Sequence, residues 1–330
     1  MRYSRYVDQF IYKPHKDDKH WIADINAIVA EKKIDVIMPI YEDGIKIILK
    51  HHSLLDQPEK LASLSVFQDY DKATNKALLS QHLKAHNIPH PKTEVFDNAK
   101  GDSISTGLPF PVILKPARGI DGQGIHIAKD KNRLEALLKA TNELYVIQEY
   151  IEGYDIDCSV LCKDGIILSH TIQKANLYES RDHAPPIGID FISEPRLLEV
   201  IEPLMRTLHW SGLAHIDLRY DQNTDTFKVI EVNGRFWGSL DASMQAGVNF
   251  VYQYIQMSLG ETIDSSGYQN ITYLNLKGIV KEIKTRPQIL LRWTFLKKHT
   301  PLFFAIKDPV PICIRFYHRT RVKLKNLFSN

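Results

Sequence analysis

One nine-residue stretch, F-K-V-I-E-V-N-G-R at 227–235, constrains this chain more than any other. Its first part has the apolar character of a buried strand, and its polar residues Glu231, Asn233 and Arg235 then occupy every second position. Alternate residues of an extended chain project from the same face. A carboxylate, an amide and a guanidinium on one face suit a hard divalent cation beside an anion. We therefore expect a magnesium–phosphate site at the end of this strand.

A second acid, Asp217, lies at the end of another predicted strand at 213–220. Mg²⁺ usually takes one or two carboxylates and leaves its other positions to water and phosphate oxygens. An acid inside V-I-E-V-N should not be buried without a charge partner or a metal ion, which favours the metal hypothesis for Glu231. The predicted metal ligands are thus Asp217, Glu231 and Asn233.

The segment L-K-P-A-R-G-I-D-G-Q-G-I at 114–125 places Lys115 at the end of a predicted strand and Gly119, Gly122 and Gly124 in the loop that follows. Backbone N–H groups of glycine-rich loops close over anions, and a nearby lysine adds a point charge suited to phosphate. Because a strand returns at 125–128, the loop predicts a hairpin tip and not the strand-to-helix turn of a Walker site. A flexible hairpin tip without a ligand is an equal alternative.

The segment V-I-Q-E-Y-I-E-G-Y-D at 146–155 connects two predicted lobes. Such a linker presents backbone groups to a purine edge and apolar side chains to its ring. Asp155 or Asp157 would then hold a ribose hydroxyl. An ordinary surface turn is the alternative.

The order of predicted elements indicates an α/β beginning followed by an α+β body with antiparallel hairpins. The expected first domain contains a helix at 22–31 and strands at 34–40 and 63–67, but it lacks the strand that normally opens a doubly wound sheet. The other expectations are a helix capped by Asp71 and ending at 85, helices at 131–144, 194–210, 239–246 and 250–259, a strand at 145–150, and hairpins at 156–173 and 213–232.

In this order, the pieces resemble the ATP-grasp superfamily over roughly residues 20 to 260, and most closely its biotin carboxylase and carbamoyl phosphate synthetase branch of carboxylate–amine ligases. The resemblance depends on Lys72 in Y-D-K-A-T-N-K, Lys115 before the glycine hairpin, Q-E-Y-I at 148–151, Asp217 in H-I-D-L-R, and E-V-N-G-R-F-W-G-S-L. The implied fold has two α+β lobes that hold ATP between them, preceded by a partial doubly wound domain.

The resemblance also implies a role for each matching residue. Lys72 and Lys115 would contact the ATP phosphates under a lid formed by the glycine loop. The adenine pocket would be lined by Gln148, Glu149 and Ile151. Arg235 would stabilise an acyl phosphate or its transition state, with Lys115 as the second catalytic residue. Asp217, Glu231 and Asn233 would bind one or two Mg²⁺, with Mn²⁺ as an alternative ion. Asp217 departs from the glutamate that family members often carry.

The predicted function is ATP-dependent activation of a carboxylate as an acyl phosphate, followed by attack of an amine or another nucleophile. The expected partners are therefore a small-molecule carboxylate and an amine, with a homodimer left open and no specific nucleic acid. A catalytically silent nucleotide-binding protein is a second hypothesis. The predicted domains are 1–66, 67–265 with a lobe boundary at 147/148, and a basic extension at 266–330.

Charge is distributed unevenly and leaves a third hypothesis open. Residues 271–330 hold 13 Lys and Arg against 2 Asp and Glu, whereas the other residues hold 29 against 37. A basic end on an acidic body suits an anionic partner, although a solvated basic face is the simpler interpretation. Pro301, Pro309 and Pro311 argue against one long helix there. The chain has three cysteines, which exclude a disulfide framework and fit a cytoplasmic protein.

Overall fold

The computed structural model describes residues 2–98, 105–119, 124–141, 143–178, 185–264 and 267–328, without the side chains at 316, 319 and 322–328. The strands are β1 (Thr93–Asp97), β2 (Val112–Pro116), β3 (His126–Ala128), β4 (Leu144–Glu149), β5 (Gly153–Lys163), β6 (Ile166–Leu177), β7 (Gly188–Phe191), β8 (Gly212–Asp221), β9 (Thr226–Asn233) and β10 (Thr272–Leu274). The α-helices are α1 (Asp18–Lys32), α2 (Glu42–Lys50), α3 (Phe67–Thr74), α4 (Lys76–Ala85), α5 (Lys131–Lys139), α6 (Pro195–Thr207), α7 (Leu240–Ala246), α8 (Phe250–Ser258), α9 (Leu276–Thr285), α10 (Trp293–Lys298), α11 (Leu302–Lys307) and α12 (Pro309–Phe328).

Two antiparallel sheets form the frame of the molecule. The smaller sheet has the order β1-β4-β2-β3, and the larger has the order β10-β7-β6-β5-β8-β9. The three hairpins predicted from the sequence are present as β2–β3, β5–β6 and β8–β9. The two lobes expected from the resemblance are therefore confirmed as two sheets.

Each sheet buries one face against a helix. In the smaller sheet, Val112, Leu114 and Ile147 pack with Leu134 and Leu138 of α5. In the larger sheet, α6 contributes its apolar stripe to a core that also contains Cys158 and Cys162. Both cysteines are fully buried, as expected for small apolar side chains. On the opposite face, here called the open face, α7 and α8 cover part of the sheet with apolar contacts to residues such as Phe191 and Leu161, and the remainder holds polar residues.

The first unit is more helical than the sequence predicts. The expected strand at 34–40 forms a single parallel bridge between Ile37 and Leu61, and residues 63–67 lead into α3 instead of forming a strand. A parallel strand needs a neighbour with which to pair, and described residues 2–17 contribute no strand. The unit is held by a small core of Ile22, Ile48 and Leu55.

The helix predicted to begin at Asp71 is broken in two, and this is a correction. Asn75 has an extended backbone, and its side chain accepts hydrogen bonds from the N–H groups of Ala77 and Leu78. It therefore caps α4, whereas Asp71 lies inside α3. The break changes which lysine of this segment faces the rest of the molecule.

The C-terminal segment is built onto the larger sheet. Strand β10 pairs with β7, so the sheet continues beyond the predicted boundary at residue 265. Helix α12 begins at Pro309, where the missing N–H of proline is tolerated in the first turn, so the prolines do not prevent a 20-residue helix. Among the described residues, no helix is both long enough and apolar enough to cross a bilayer.

Candidate active site

Two rows of polar side chains cross the open face of the larger sheet, buried at Gln173, Thr171 and Ser159 and partly exposed towards β9. Cross-strand pairing places Gln173, Asp157, Asp217 and Glu231 in one row, on β6, β5, β8 and β9. The next row holds Thr171, Ser159, His215 and Asn233 on the same four strands. Directly opposed residues on neighbouring strands lie about 4.5–5.5 Å apart at Cβ, so each row is a line of contacting groups.

A β-bulge sets the orientation of the acidic end of the first row. Asp217 pairs with Glu231, but Leu218 pairs with Val229, so Ile230 is an extra residue. Val229 and Val232 are both buried in the core. Without the bulge, Glu231 would follow Val229 into that core, because side chains alternate with a period of two. The bulge therefore keeps Glu231 and Asn233 on the open face.

The predicted metal ligands do lie together. Asn233 donates from Nδ2 to Asp217 Oδ2 at 3.4 Å, and Glu231 is the cross-strand partner of Asp217. Burial, together with the negative charges of Asp157 and Glu231, raises the pKa of Asp217 well above its ordinary value. Mutually repelling carboxylates of this kind are stabilised by a cation placed between them.

Two lysines approach this acidic face from other elements. Lys76, the first residue of α4, is 9% exposed and places Nζ 3.0 Å from Glu231 Oε1. Lys115 on β2 is also buried and donates to Gln148 Oε1 at 2.9 Å. Burial lowers the pKa of Lys115 to about 8, and the charge of Glu231 partly opposes that shift. Lys76, Lys115, Gln148 and Ile230 line one small cavity.

Lys72, the phosphate ligand predicted from the sequence, is placed elsewhere. Its Nζ is 2.8 Å from Asp69 Oδ1 within α3, and its side chain is 36% exposed. Asn75 ends α3 and caps the start of α4. Because of this break, Lys76, which is four residues after Lys72, reaches the acidic face instead. The geometry thus favours Lys76, which sequence reasoning missed; an N-cap residue followed by lysine was the signal that could have revealed it.

His215 stands between two of the carboxylates. Its Nε2 is 3.5 Å from Asp217 Oδ1 and 3.9 Å from Asp157 Oδ2, and its Nδ1 is 2.9 Å from Ser159 Oγ. Burial lowers the pKa of His215 to about 3, so the ring is neutral near pH 7. Burial also raises the pKa of Asp157 to about 7. Asp157 therefore lies with the acidic group, while its predicted role towards a ribose hydroxyl stays a prediction.

Arg235 follows the predicted metal ligands Glu231 and Asn233, on a turn that is tightly packed. A Cβ at Gly234 would lie 2.7 Å from Trp210 Cη2 and 2.8 Å from Tyr70 Cε2. The Tyr70 hydroxyl also donates to the Gly234 carbonyl at 3.1 Å. Only glycine allows this approach, so the turn fixes the backbone from which Arg235 projects.

The linker between the sheets is anchored by its own neighbours. The Glu149 N–H donates to the Lys92 carbonyl at 2.9 Å, and its carboxylate pairs with Lys228 at 2.9 Å. The carbonyl of Ile151 accepts from Arg219 Nε at 2.7 Å, and Arg219 also pairs with Asp155. Of the residues predicted to line the adenine pocket, Gln148 contacts Lys115, and Glu149 and Ile151 follow it along the chain; their role towards adenine stays a prediction.

The glycine loop is described in part. Gly119 and Gly124 lie at the two ends of the β2–β3 connection, whereas Gly122 lies outside the described residues. Gly124 has a φ of 73°, a backbone conformation that glycine adopts without strain. Arg118 pairs with Asp71 of α3 at 2.8 Å, which ties the beginning of this loop to the first helices.

A two-sheet fold with an acidic face, two converging lysines and a linker beside them defines the class of nucleotide-dependent ATP-grasp proteins. Residues 73–239 match the profile of an ATP-grasp domain. The chain belongs to the ATP-grasp family.

Similar proteins share this fold with varying coverage. The chain is 24% identical over 272 residues to the carbamoyl phosphate synthase large chain of Agathobacter rectalis, which is 76% of this chain and 25% of that protein. It is 24% identical over 228 residues to the D-alanine–D-alanine ligase of Anaplasma marginale, which is 63% of this chain and 68% of that protein. A biotin carboxylase domain from Hydrogenobacter thermophilus, solved with MgADP and bicarbonate, has a TM-score of 0.58 at 17% identity and covers 76% of this chain and 58% of that chain.

Proposed function

We propose that the chain is an ATP-dependent ligase that joins a small carboxylate to an amine. The observation that carries this proposal is the row Asp157, Asp217 and Glu231, which Lys76 contacts at Glu231, with the buried Lys115 beside Lys76 on the wall of one small cavity. A metal ion bound with ATP would supply positive charge to the carboxylates, and the phosphates would supply negative charge to the lysines. The related D-alanine–D-alanine ligase and carbamoyl phosphate synthase support this reaction class.

The donor set fits Mg²⁺. Asp217, Glu231 and Asn233 offer carboxylate and amide oxygens, which are the hard ligands that Mg²⁺ takes in small number while keeping water and phosphate oxygens. A bound Mg²⁺ would neutralise charge on the phosphates of ATP. Mn²⁺ takes the same ligand types, so we propose it as a substitute ion.

The chain's own residues would position the phosphates and the reacting groups. Lys76 and Lys115 would hold phosphate oxygens from the side of the smaller sheet, and the residues at 148–151 would hold the adenine. In the first step, a carboxylate oxygen attacks the γ-phosphorus and ADP leaves. In the second, the amine nitrogen attacks the acyl carbon, inorganic phosphate leaves, and the nitrogen gives up a proton. Arg235 would stabilise the charge that builds on the acyl phosphate.

We further propose that residues 1–66 contribute to the substrate pocket. Arg219 is committed to the linker carbonyls of Ile151 and Gly153 and to Asp155, so it supports the linker between the two sheets.

A substrate panel tests this proposal. Purified protein would be incubated with Mg-ATP and pairs of amino acids or other small carboxylates and amines, and ADP release would be recorded. The proposal predicts ADP that requires both partners, and transfer of ¹⁸O from a labelled carboxylate into inorganic phosphate. Nucleotide binding without ADP formation from any pair would instead favour the silent nucleotide-binding protein.

A further inference from the structure

The turn between α9 and α10 exposes apolar side chains that the proposed ligase reaction does not use. Ile289 is 7% exposed, but its neighbours Leu290 and Leu291 are 55% and 85% exposed, and Trp293 is 61% exposed. Single exposed apolar residues are ordinary on protein surfaces. Three within four positions form a contiguous apolar tip, which marks an interaction site.

Cationic side chains surround this tip. Lys297 and Lys307 both approach the ring of Phe303, at 5.4 and 4.5 Å from its centroid. Arg292 lies 5.1 Å from the ring centre of Phe295. On α10, Trp293 and Lys297 are four residues apart and therefore share one side of the helix. The apolar tip and the cations thus belong to one surface. This surface is here called the basic patch, and it consists of Leu290, Leu291, Arg292, Trp293, Lys297 and Lys307.

The basic patch is held on a folded support. Leu274, Ile279, Ile289 and Leu296 form a core beneath it. The N–H of Leu274 donates to the His299 carbonyl at 2.9 Å, and His299 Nδ1 is 2.8 Å from the Thr272 carbonyl. The patch is therefore attached to β10 and to the larger sheet, and its exposed leucines are displayed by a defined turn.

We propose that the basic patch docks the protein on an anionic phospholipid surface. Residues 271–330 carry 13 Lys and Arg against 2 Asp and Glu, so the charge complements anionic headgroups. Aliphatic and tryptophan side chains beside lysine are the composition of interfacial membrane segments, in which the apolar groups enter the headgroup boundary. Nucleic acid offers no comparable environment to the aliphatic Leu291, because its recognition uses stacking and phosphate contacts.

Vesicle flotation tests this inference with the full chain. The protein should float with phosphatidylglycerol/phosphatidylcholine vesicles and not with pure phosphatidylcholine. The Leu290→Ser/Leu291→Ser variant should lose most of this binding, about tenfold or more from the removed apolar area. The Lys297→Gln/Lys307→Gln variant should bind less tightly by about fivefold per lysine. Of the four tryptophans, Trp293 alone is exposed, so the fluorescence should shift to the blue on binding.

Matched variants separate the patch from general effects. Ile166→Ser removes an apolar side chain that is 67% exposed on another hairpin, and Lys129→Gln/Lys163→Gln removes two exposed lysines outside the patch. Both should float like the parent, and all variants should keep its melting temperature. The inference is overturned if the protein ignores anionic vesicles, if the leucine variant floats unchanged, or if RNA or self-association protects Trp293 from quenching while vesicles do not.

Discussion

Substitution of two neighbouring lysines, one at a time, tests the proposed position of the nucleotide most sharply. Lys76 Nζ lies 3.0 Å from Glu231 Oε1, and its side chain is 9% exposed. Lys72 Nζ pairs instead with Asp69 on the same helix, and its side chain is 36% exposed. We predict that Lys76→Met weakens Mg-ATP binding strongly, whereas Lys72→Met leaves it nearly unchanged.

The magnitude follows from the environment of each ammonium group. A hydrogen bond from a charged group to a desolvated phosphate contributes about 1.5–3 kcal/mol, which corresponds to a Kd about 10- to 150-fold weaker for Lys76→Met. A helical surface pair contributes about 0.3–0.5 kcal/mol to stability, so Lys72→Met should change the Kd by less than about twofold. The two substitutions are chemically identical and lie four residues apart in the sequence, on either side of the helix break at Asn75.

Isothermal titration calorimetry with a non-hydrolysable ATP analogue and Mg²⁺ would measure these constants without knowledge of the acceptor substrate. Melting curves of both variants would show that the fold is retained. If Lys72→Met weakened binding as much as Lys76→Met, or if Lys76→Met bound normally, the proposed position of the phosphates beside α4 would be refuted.

Three further predictions follow from particular contacts. Gly234→Ala should destabilise the fold by about 1–3 kcal/mol, because its Cβ would overlap Trp210 and Tyr70, whereas Gly238→Ala, which has nothing within 4 Å, should leave the melting temperature unchanged. Affinity for the ATP analogue should fall as the pH rises through about 8, since burial lowers the pKa of Lys115 and its cation is lost above that value; a Lys115→Arg variant should show no such loss in this range. Affinity for Mn²⁺ should fall as the pH is lowered below about 7, because protons then compete with the metal for the carboxylates. Burial raises the pKa of Asp157, and burial together with the charges of its neighbours raises the pKa of Asp217. Calorimetric titrations at several pH values would measure this, and a flat profile would contradict the prediction.

The residues of the acidic face were largely predictable from the sequence. Glu231 and Asn233 alternate on one strand, so period-two alternation was sufficient to place these two on one face, and the predicted hairpin made the strand of Asp217 their neighbour. The bulge at Ile230 was not predictable, because it arises from a change of pairing between β8 and β9. Glu231 therefore reaches the open face for a reason that involves two strands and not one.

Local signals failed where two of them competed. Asp71 and Asn75 are both good N-cap residues, and the sequence alone favoured the first. Packing of Tyr70 against Trp210 and the hydrogen bond from Tyr70 to Gly234 hold α3 in place, so the helix break falls at Asn75. That tertiary contact, which joins residues far apart in the chain, decides that Lys76 and not Lys72 faces the acidic row.

The partnerships of Asp157 and His215 also depended on long-range pairing. They lie on neighbouring cross-strand pairs of β5 and β8, and β6, β7 and α6 come between these two strands in the chain, so the sequence could suggest each as polar without showing that they meet. The exposed tip at 290–293 could not be predicted from the sequence for the same reason. Ile289 faces inward through its packing against Leu274 and Leu296, which leaves the residues after it exposed.

The central claim is that Asp217, Glu231 and Asn233 form the cation platform for ATP. Electron paramagnetic resonance of Mn²⁺ in the presence of a non-hydrolysable ATP analogue measures this directly, because bound and free Mn²⁺ are distinguished. The account predicts tight, nucleotide-dependent Mn²⁺ binding that Mg²⁺ displaces and that Glu231→Gln removes, while Asp225→Asn on the β8–β9 turn has no effect. Equal Mn²⁺ binding by the parent protein and Glu231→Gln would contradict it.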